Sequence, residues 1–242
     1  MHFCLTPNFP GEFRNRQDIS KLRIVGFSSH IKKTGHALAG LLVLCQIAQA
    51  APRPFPPDGA IEPAQFIWTK LKSDFALERG LIGRCRTAAE NCPSPAVRQF
   101  VAIVEEGLQY ESRARIAHIN RAANLAIRPQ IERTRTWTSP LATLTAGTGD
   151  CKQYAVLKYA ALLEAGFTAD QLRIVIVEDK ARQATHAVVA VRDGTQWLVL
   201  NNRGSALVDF DEFVERYALL WRLDRGASEE TAPQDGAPEA GS

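Results

Sequence analysis

The chain has 242 residues, 45% of them hydrophobic, with 29 basic and 26 acidic side chains. That length and apolar content suit one globular domain with a proper core once non-globular ends are set aside. No basic stripe accompanies the formal net charge of +3, which argues against a nucleic-acid partner.

The first element is a leader. Residues 36–47, "HALAGLLVLCQI", are apolar and follow Lys32 and Lys33; "AQAAP" comes next, with Ala48 and Ala50 in an A-x-A pattern before Ala51. These three parts make residues 1–50 a secretory signal peptide. The run is short for a membrane span, and an uncleaved anchor or a buried helix are the other readings. The 31 residues before Lys32 are long for a charged start, and Met1 is the only methionine, so a start at a non-Met codon such as Val25 is also open. Residues 1–50 carry 6 of the basic and 2 of the acidic residues, which leaves 23 and 24 and a mature net charge of −1.

Residues 51–62 are rich in Pro and Gly and read as a loop. "AQFIWTKLKSDFALE", residues 64–78, reads as an amphipathic helix. "CRTAAENC" follows, where Cys85 and Cys92 either bridge a local loop or are two unrelated thiols. A C-x6-C spacing without a nearby histidine does not suit zinc. Residues 94–127 carry long helical periodicity through Val97, Phe100, Val101, Val104 and Leu108, and again through Ile116, Ile119, Ala123 and Ile127. His118 lies in the second run and reads as a surface or boundary helix residue. Residues 128–150 are mostly irregular, with a helical patch near Leu141. Trp137 lies there, either lining a cleft or serving as an aromatic core residue.

A helix opens at Cys151 and runs to about Ala165, with Gly166 as its stop. Being apolar on most sides, it should be central. "LRIVIVED" (172–179), "HAVVAV" (186–191) and "WLVLN" (197–201) are short strands with no helix between them. An antiparallel sheet after a helical half gives an α+β domain over residues 51–225. Residues 210–223 close it as a helix, a strand or both. Residues 226–242 are small and acidic and read as a disordered tail.

After cleavage, Cys151 is the odd cysteine beside the Cys85/Cys92 pair, and His118 and His186 are the remaining histidines. Unpaired N–H groups at a helix start favour a thiolate, and Gly147 and Gly149 allow a substrate backbone to approach Cys151. Taking Asp193-Gly194 as a two-residue hairpin turn sets Arg192 opposite Thr195 and His186 opposite Asn201. An amide oxygen there would accept the imidazole N–H and fix its tautomer. Cys151, His186 and Asn201 therefore form a candidate Cys-His-Asn triad. A buried inert cysteine and an edge-strand histidine are the plainer alternatives.

"WTSPLATLTAGTGDCKQYAVLKYAALLEAGF", then "HAVVAV", then "WLVLNN", resemble the bacterial transglutaminase-like cysteine proteinases, the LapG-related periplasmic proteases, across roughly residues 60–225. The resemblance implies a papain/transglutaminase-like fold, a periplasmic thiol peptidase and a local cysteine pair like Cys85/Cys92. It assigns Cys151 as nucleophile, His186 as base and residue 201 as orienter. It further implies a protein or peptide substrate, by analogy a cell-surface adhesin, and an inner-membrane regulatory protein. The same thioester chemistry would serve a transglutaminase or amidase, and a degenerate member would only bind peptide. Two departures stand out. The family's usual "LVLDN" has Asp where Asn201 stands. Its "GDCED" reads "GDCKQ" here, and since the family's carboxylates bind calcium, Lys152 and Gln153 argue against a calcium cofactor.

Overall fold

The computed structural model describes residues 62–131 and 136–223; the expected signal peptide and acidic tail lie outside the described residues. Helix α1 (Glu62–Thr87) runs nine residues beyond the expected helix of residues 64–78, despite Gly80 and Gly83. Trp68, Leu71, Ile82 and Cys85 keep one face buried along its length, and this packing outweighs the two glycines. Cys85 thus ends a helix rather than opening a loop. It is bridged to Cys92 with a Cα–Cα separation of 4.2 Å, pinning the turn into α2 (Pro95–Leu108). Ser94 caps α2, accepting from the Val97 N–H at 3.3 Å, and Pro95 sits in its first turn, where no N–H is needed. The long periodic run of residues 94–127 is two helices: α3 (Ser112–Ala126) begins after a break at residues 109–111.

Strand β1 (Arg128–Pro129) leads on to α4 (Pro140–Ala146), the helix expected near Leu141. Gly147 ends α4 at φ 66°, a left-handed conformation that glycine adopts without a side-chain penalty. Strand β2 (Thr148–Gly149) then pairs in parallel with β1, a clasp too short to be read from sequence. Next comes α5 (Cys151–Glu164), stopped by Gly166 at φ 94°, with the Phe167 N–H returning to the Leu162 carbonyl at 3.1 Å. Every residue of α5 from Cys151 to Leu162 is buried. A helix apolar on all sides belongs in an interior, and α5 packs between α2, α3 and α4 and the sheet strands β3 (Leu172–Asp179) and β4 (Ala184–Asp193).

The sheet is completed by β5 (Gln196–Leu200), β6 (Leu207–Asp209) and β7 (Tyr217–Leu223), in the order β6-β5-β4-β3-β7, with every pair antiparallel. Residues 210–223 are both helix and strand, α6 (Phe210–Arg216) and then β7. Alternation splits the sheet's two faces. Ala187, Val189 and Val191 join the main core with α5. Val188 and Ala190 join a second cluster with Phe213, against which Tyr217 packs.

The hairpin register differs from the expected one. Asp193 pairs with Gln196 and Arg192 with Trp197, so the two-residue turn is Gly194-Thr195. Gly194 has φ 61° while Asp193 is not among the positive-φ residues. This is the glycine-first arrangement of a type II′ turn, whereas Asp193-Gly194 would have required a left-handed aspartate. The slip moves the pairing by two residues, so every side chain keeps its face.

One residue of α5 runs against its surroundings. Lys158 is 1% exposed, and its Nζ has no hydrogen-bond partner among the described residues; it lies 5.9 Å from the Tyr154 ring. Burial pushes its pKa well below the usual 10.5, which favours the neutral amine. An unpaired buried amine costs stability that an apolar side chain of similar length does not. Lys158→Met should therefore raise stability by about 1 kcal/mol or more, measured as a higher midpoint in urea unfolding.

Candidate active site

The turn before α5 is a complete N-terminal cap. Asp150 accepts from the Lys152 N–H at 2.9 Å, and Gln153 Oε1 accepts from the Asp150 N–H at 3.1 Å. This reciprocal capping box satisfies two N–H groups that would otherwise be stranded. The Lys152 ammonium folds back onto the Asp150 carboxylate, both side chains being 1% exposed. Gln153 also donates to the Thr136 carbonyl at 3.2 Å. Lys152 and Gln153, where the resemblance led to carboxylates, thus hold the helix start together.

Gly149 has a packing reason of its own. A Cβ placed there would lie 2.5 Å from Gln153 Cβ, so the close approach is made by the protein's own capping residue. Trp137 is buried in the main core, the second of its two expected readings. Cys151 is 1% exposed at the first position of α5.

On the sheet, His186 and Asn201 are brought together. His186 Nε2 and Asn201 Oδ1 are 3.0 Å apart. The same oxygen accepts the Arg203 backbone N–H, also at 3.0 Å. An oxygen facing a fixed N–H donor identifies the amide orientation, so Nε2 carries the imidazole proton. Nδ1 is then the free lone pair, and it is buried with no hydrogen-bond partner among the described residues. This pair forms although the expected register does not: the β4–β5 ladder ends at Val189–Leu200, and Asn201 leaves the strand. His186 alternates in step with Val188 and Ala190, and its ring lies over Tyr217 with centroids 6.1 Å apart.

Behind the pair lies a network that sequence reasoning missed. Asp179, at the end of β3 and 2% exposed, accepts from the N–H groups of Ala181 and Arg182 at 3.1 and 3.0 Å. Its other oxygen accepts from Arg182 Nη1 at 3.0 Å and Arg203 Nη1 at 2.5 Å. Arg203 also lies 3.4 Å from the Tyr217 hydroxyl. Asp179 and Arg203 are 24 residues apart, on unrelated segments, and no spacing rule links them. Burial, followed by the charge of Arg203, depresses the His186 pKa from 6.5 to about 3; the Asn201 hydrogen bond and Asp179 oppose this. His118, the other candidate base, lies between α2 and α3 with Glu106 at 3.6 Å and Tyr110 stacked at 5.2 Å, and reads as a helix-boundary residue.

A cysteine heading a buried helix, packed on an antiparallel sheet that carries a hydrogen-bonded His–amide pair, defines the class of papain- and transglutaminase-like thiol hydrolases. Within it, the chain belongs to the bacterial transglutaminase-like cysteine proteinases, whose family model matches residues 79–222, more than half of its length. It is a cysteine peptidase of the transglutaminase-like type. Solved structures agree in fold. LapG of Legionella pneumophila, at 18% identity, aligns over 59% of this chain and 83% of its own with a TM-score of 0.51. Its calcium-bound form matches equally, and its EGTA-treated form does so over 81% of that chain. Comparison with curated proteins finds no match.

The His186 environment has a pH signature. A histidine whose folded pKa is depressed contributes stability that is present above pH 6.5 and is lost as pH falls toward about 3, because the unfolded chain takes up the proton first. Urea midpoints of the wild type should drop between pH 6.5 and 4. In His186→Gln the drop should be clearly shallower, and equal slopes would contradict the buried neutral imidazole.

Proposed function

We propose that the protein is an exported thiol peptidase that cleaves a peptide bond in a protein substrate, with Cys151 as nucleophile, His186 as general base and Asn201 as the group that orients it. The observation that carries this reading is the His186 imidazole. Its Nε2–H is committed to Asn201, and its Nδ1 is left buried and unpartnered. That is the protonation pattern a cysteine's base needs.

His186 Nδ1 takes the Cys151 thiol proton as sulfur bonds to the substrate carbonyl carbon. The carbonyl π electrons move to oxygen. The backbone N–H of Cys151, at the start of α5, is the donor best placed by sequence to meet that oxyanion. When the intermediate collapses, the C–N bond breaks and the imidazolium returns its proton to the leaving amine. Water then attacks the thioester, giving its proton to His186, and the released thiolate regains that proton. Asn201 cannot supply the anion that an aspartate would, so the imidazolium is less stabilised and the rate should be lower for it.

Export and a periplasmic location are part of the same proposal, supported by the leader pattern and by the Cys85–Cys92 bridge, which suits an oxidising compartment. An exported or cell-surface protein, such as an adhesin, is the substrate class this location favours.

Calcium has poor donors in this turn. Both Asp150 oxygens are taken by Lys152, and Gln153 is uncharged and already bonded. We therefore read the protein as calcium-independent. Millimolar calcium and EGTA should give the same melting temperature within about 1 °C, since a ligand that binds only the folded state raises it.

The catalytic assignment is tested by alkylating Cys151 with iodoacetamide after reduction, across pH, with the label located by mass spectrometry. With neutral His186 accepting its proton, Cys151 should be alkylated faster near pH 7 than an ordinary thiol of pKa ~8.5, and His186→Ala should abolish this. Ordinary thiol behaviour in both proteins would sink the catalytic reading and leave a peptide-binding module.

A further inference from the structure

We propose that Arg203 is a positioning residue for His186. It fixes the Asn201 amide through its backbone N–H and, anchored on Asp179, holds a positive charge near the imidazole. The inference rests on His186 being the base, and it adds a residue that neither the triad nor the family resemblance assigns.

Three observations support it. The Asn201 oxygen is shared between the His186 imidazole and the Arg203 N–H, both at 3.0 Å, so the placement of residue 203 decides which way the amide points. The Arg203 side chain is 11% exposed and is tied at 2.5 Å to Asp179, which is held in turn by two backbone N–H groups and Arg182. The end of β3 thus anchors the loop after β5. The charge of Arg203 is only partly spent, because Nη2 is buried without a hydrogen-bond partner among the described residues.

The charged and titratable groups around His186 come from several elements. Arg203 stands in the loop after β5, Asp179 at the end of β3, Lys158 on α5 and Tyr217 on β7; Arg182 shares with Arg203 the same Asp179 oxygen. Arg203 follows burial as the cause that lowers the imidazole's basicity, and Asp179 acts in the opposite sense. Burial and Arg203 favour a neutral Nε2–H imidazole at rest, with the Nδ1 lone pair available when substrate arrives.

This predicts unlike effects from two changes that break the same ion pair. Arg203→Met removes the cation, so the His186 pKa should rise by at least one unit and come into view above pH 4. Asp179→Asn loosens the anchor but leaves the cation, so His186 should stay untitrated to pH 4, as in the wild type. Arg203→Lys keeps the charge and should behave like the wild type. The measurement is a nitrogen-15 NMR titration of the imidazoles in the full chain, with His186 assigned by its loss in His186→Gln. A merely structural role would move Arg203→Met and Asp179→Asn alike. Equal shifts in those two, or no shift in Arg203→Met, would overturn the proposal. The titration does not depend on Cys151, so its failure is separable from failure of the nucleophile assignment, which the alkylation experiment reads.

Discussion

The carboxylate of Asp150 is the constraint around which the rest is arranged. Because α5 is buried from its first residue, water cannot satisfy the N–H groups of its first turn. Asp150 meets that need and brings a negative charge into the interior, which Lys152 balances. Leaving such a charge unpaired would cost about 3–5 kcal/mol. Gln153 returns the favour to the Asp150 N–H and fastens the turn to the Thr136 carbonyl. Each residue of "DCKQ" other than the cysteine is thus spent on holding the cysteine's position. The two departures from the family's acidic pattern make one self-contained unit, in which the positive charge arrives tethered to the chain.

The sheet solves a different problem. A buried imidazole is held uncharged here, with its tautomer fixed. Burial does the first, with help from a nearby guanidinium. An amide held from two sides does the second. The helix therefore supplies a rigid, capped end and the sheet a tuned electrostatic environment.

Much of this was legible in the sequence because it is carried by periodicity and by short-range chemistry. The eight residues of β3 match the expected strand, and the closing glycine of α5 stands where expected, since both follow from local rules. The errors have physical causes. Packing on Trp68, Leu71 and Ile82 carried α1 through two glycines that propensity alone would treat as a stop. Asp193-Gly194 puts the hairpin turn one residue early because Asp-Gly and Gly-Thr both fit a two-residue loop, and only the sign of φ at residue 193 separates them. His186 and Asn201 still meet, because a two-residue slip preserves the face and the chain bends after Leu200. The Asp179–Arg203 contact was invisible for a plainer reason: two charged residues in separate segments announce nothing until the strands are paired.

The strand order has a consequence for how the molecule comes into being. The central strand β3 has β4 on one edge and β7 on the other, and β7 is the last described element of the chain. Until residues 217–223 arrive, β3 presents an open, strongly apolar edge, the kind of surface that recruits other chains. Tyr217, which lies beside the His186 ring, arrives with that same strand. Closing the sheet and completing the surroundings of the imidazole are therefore one late event.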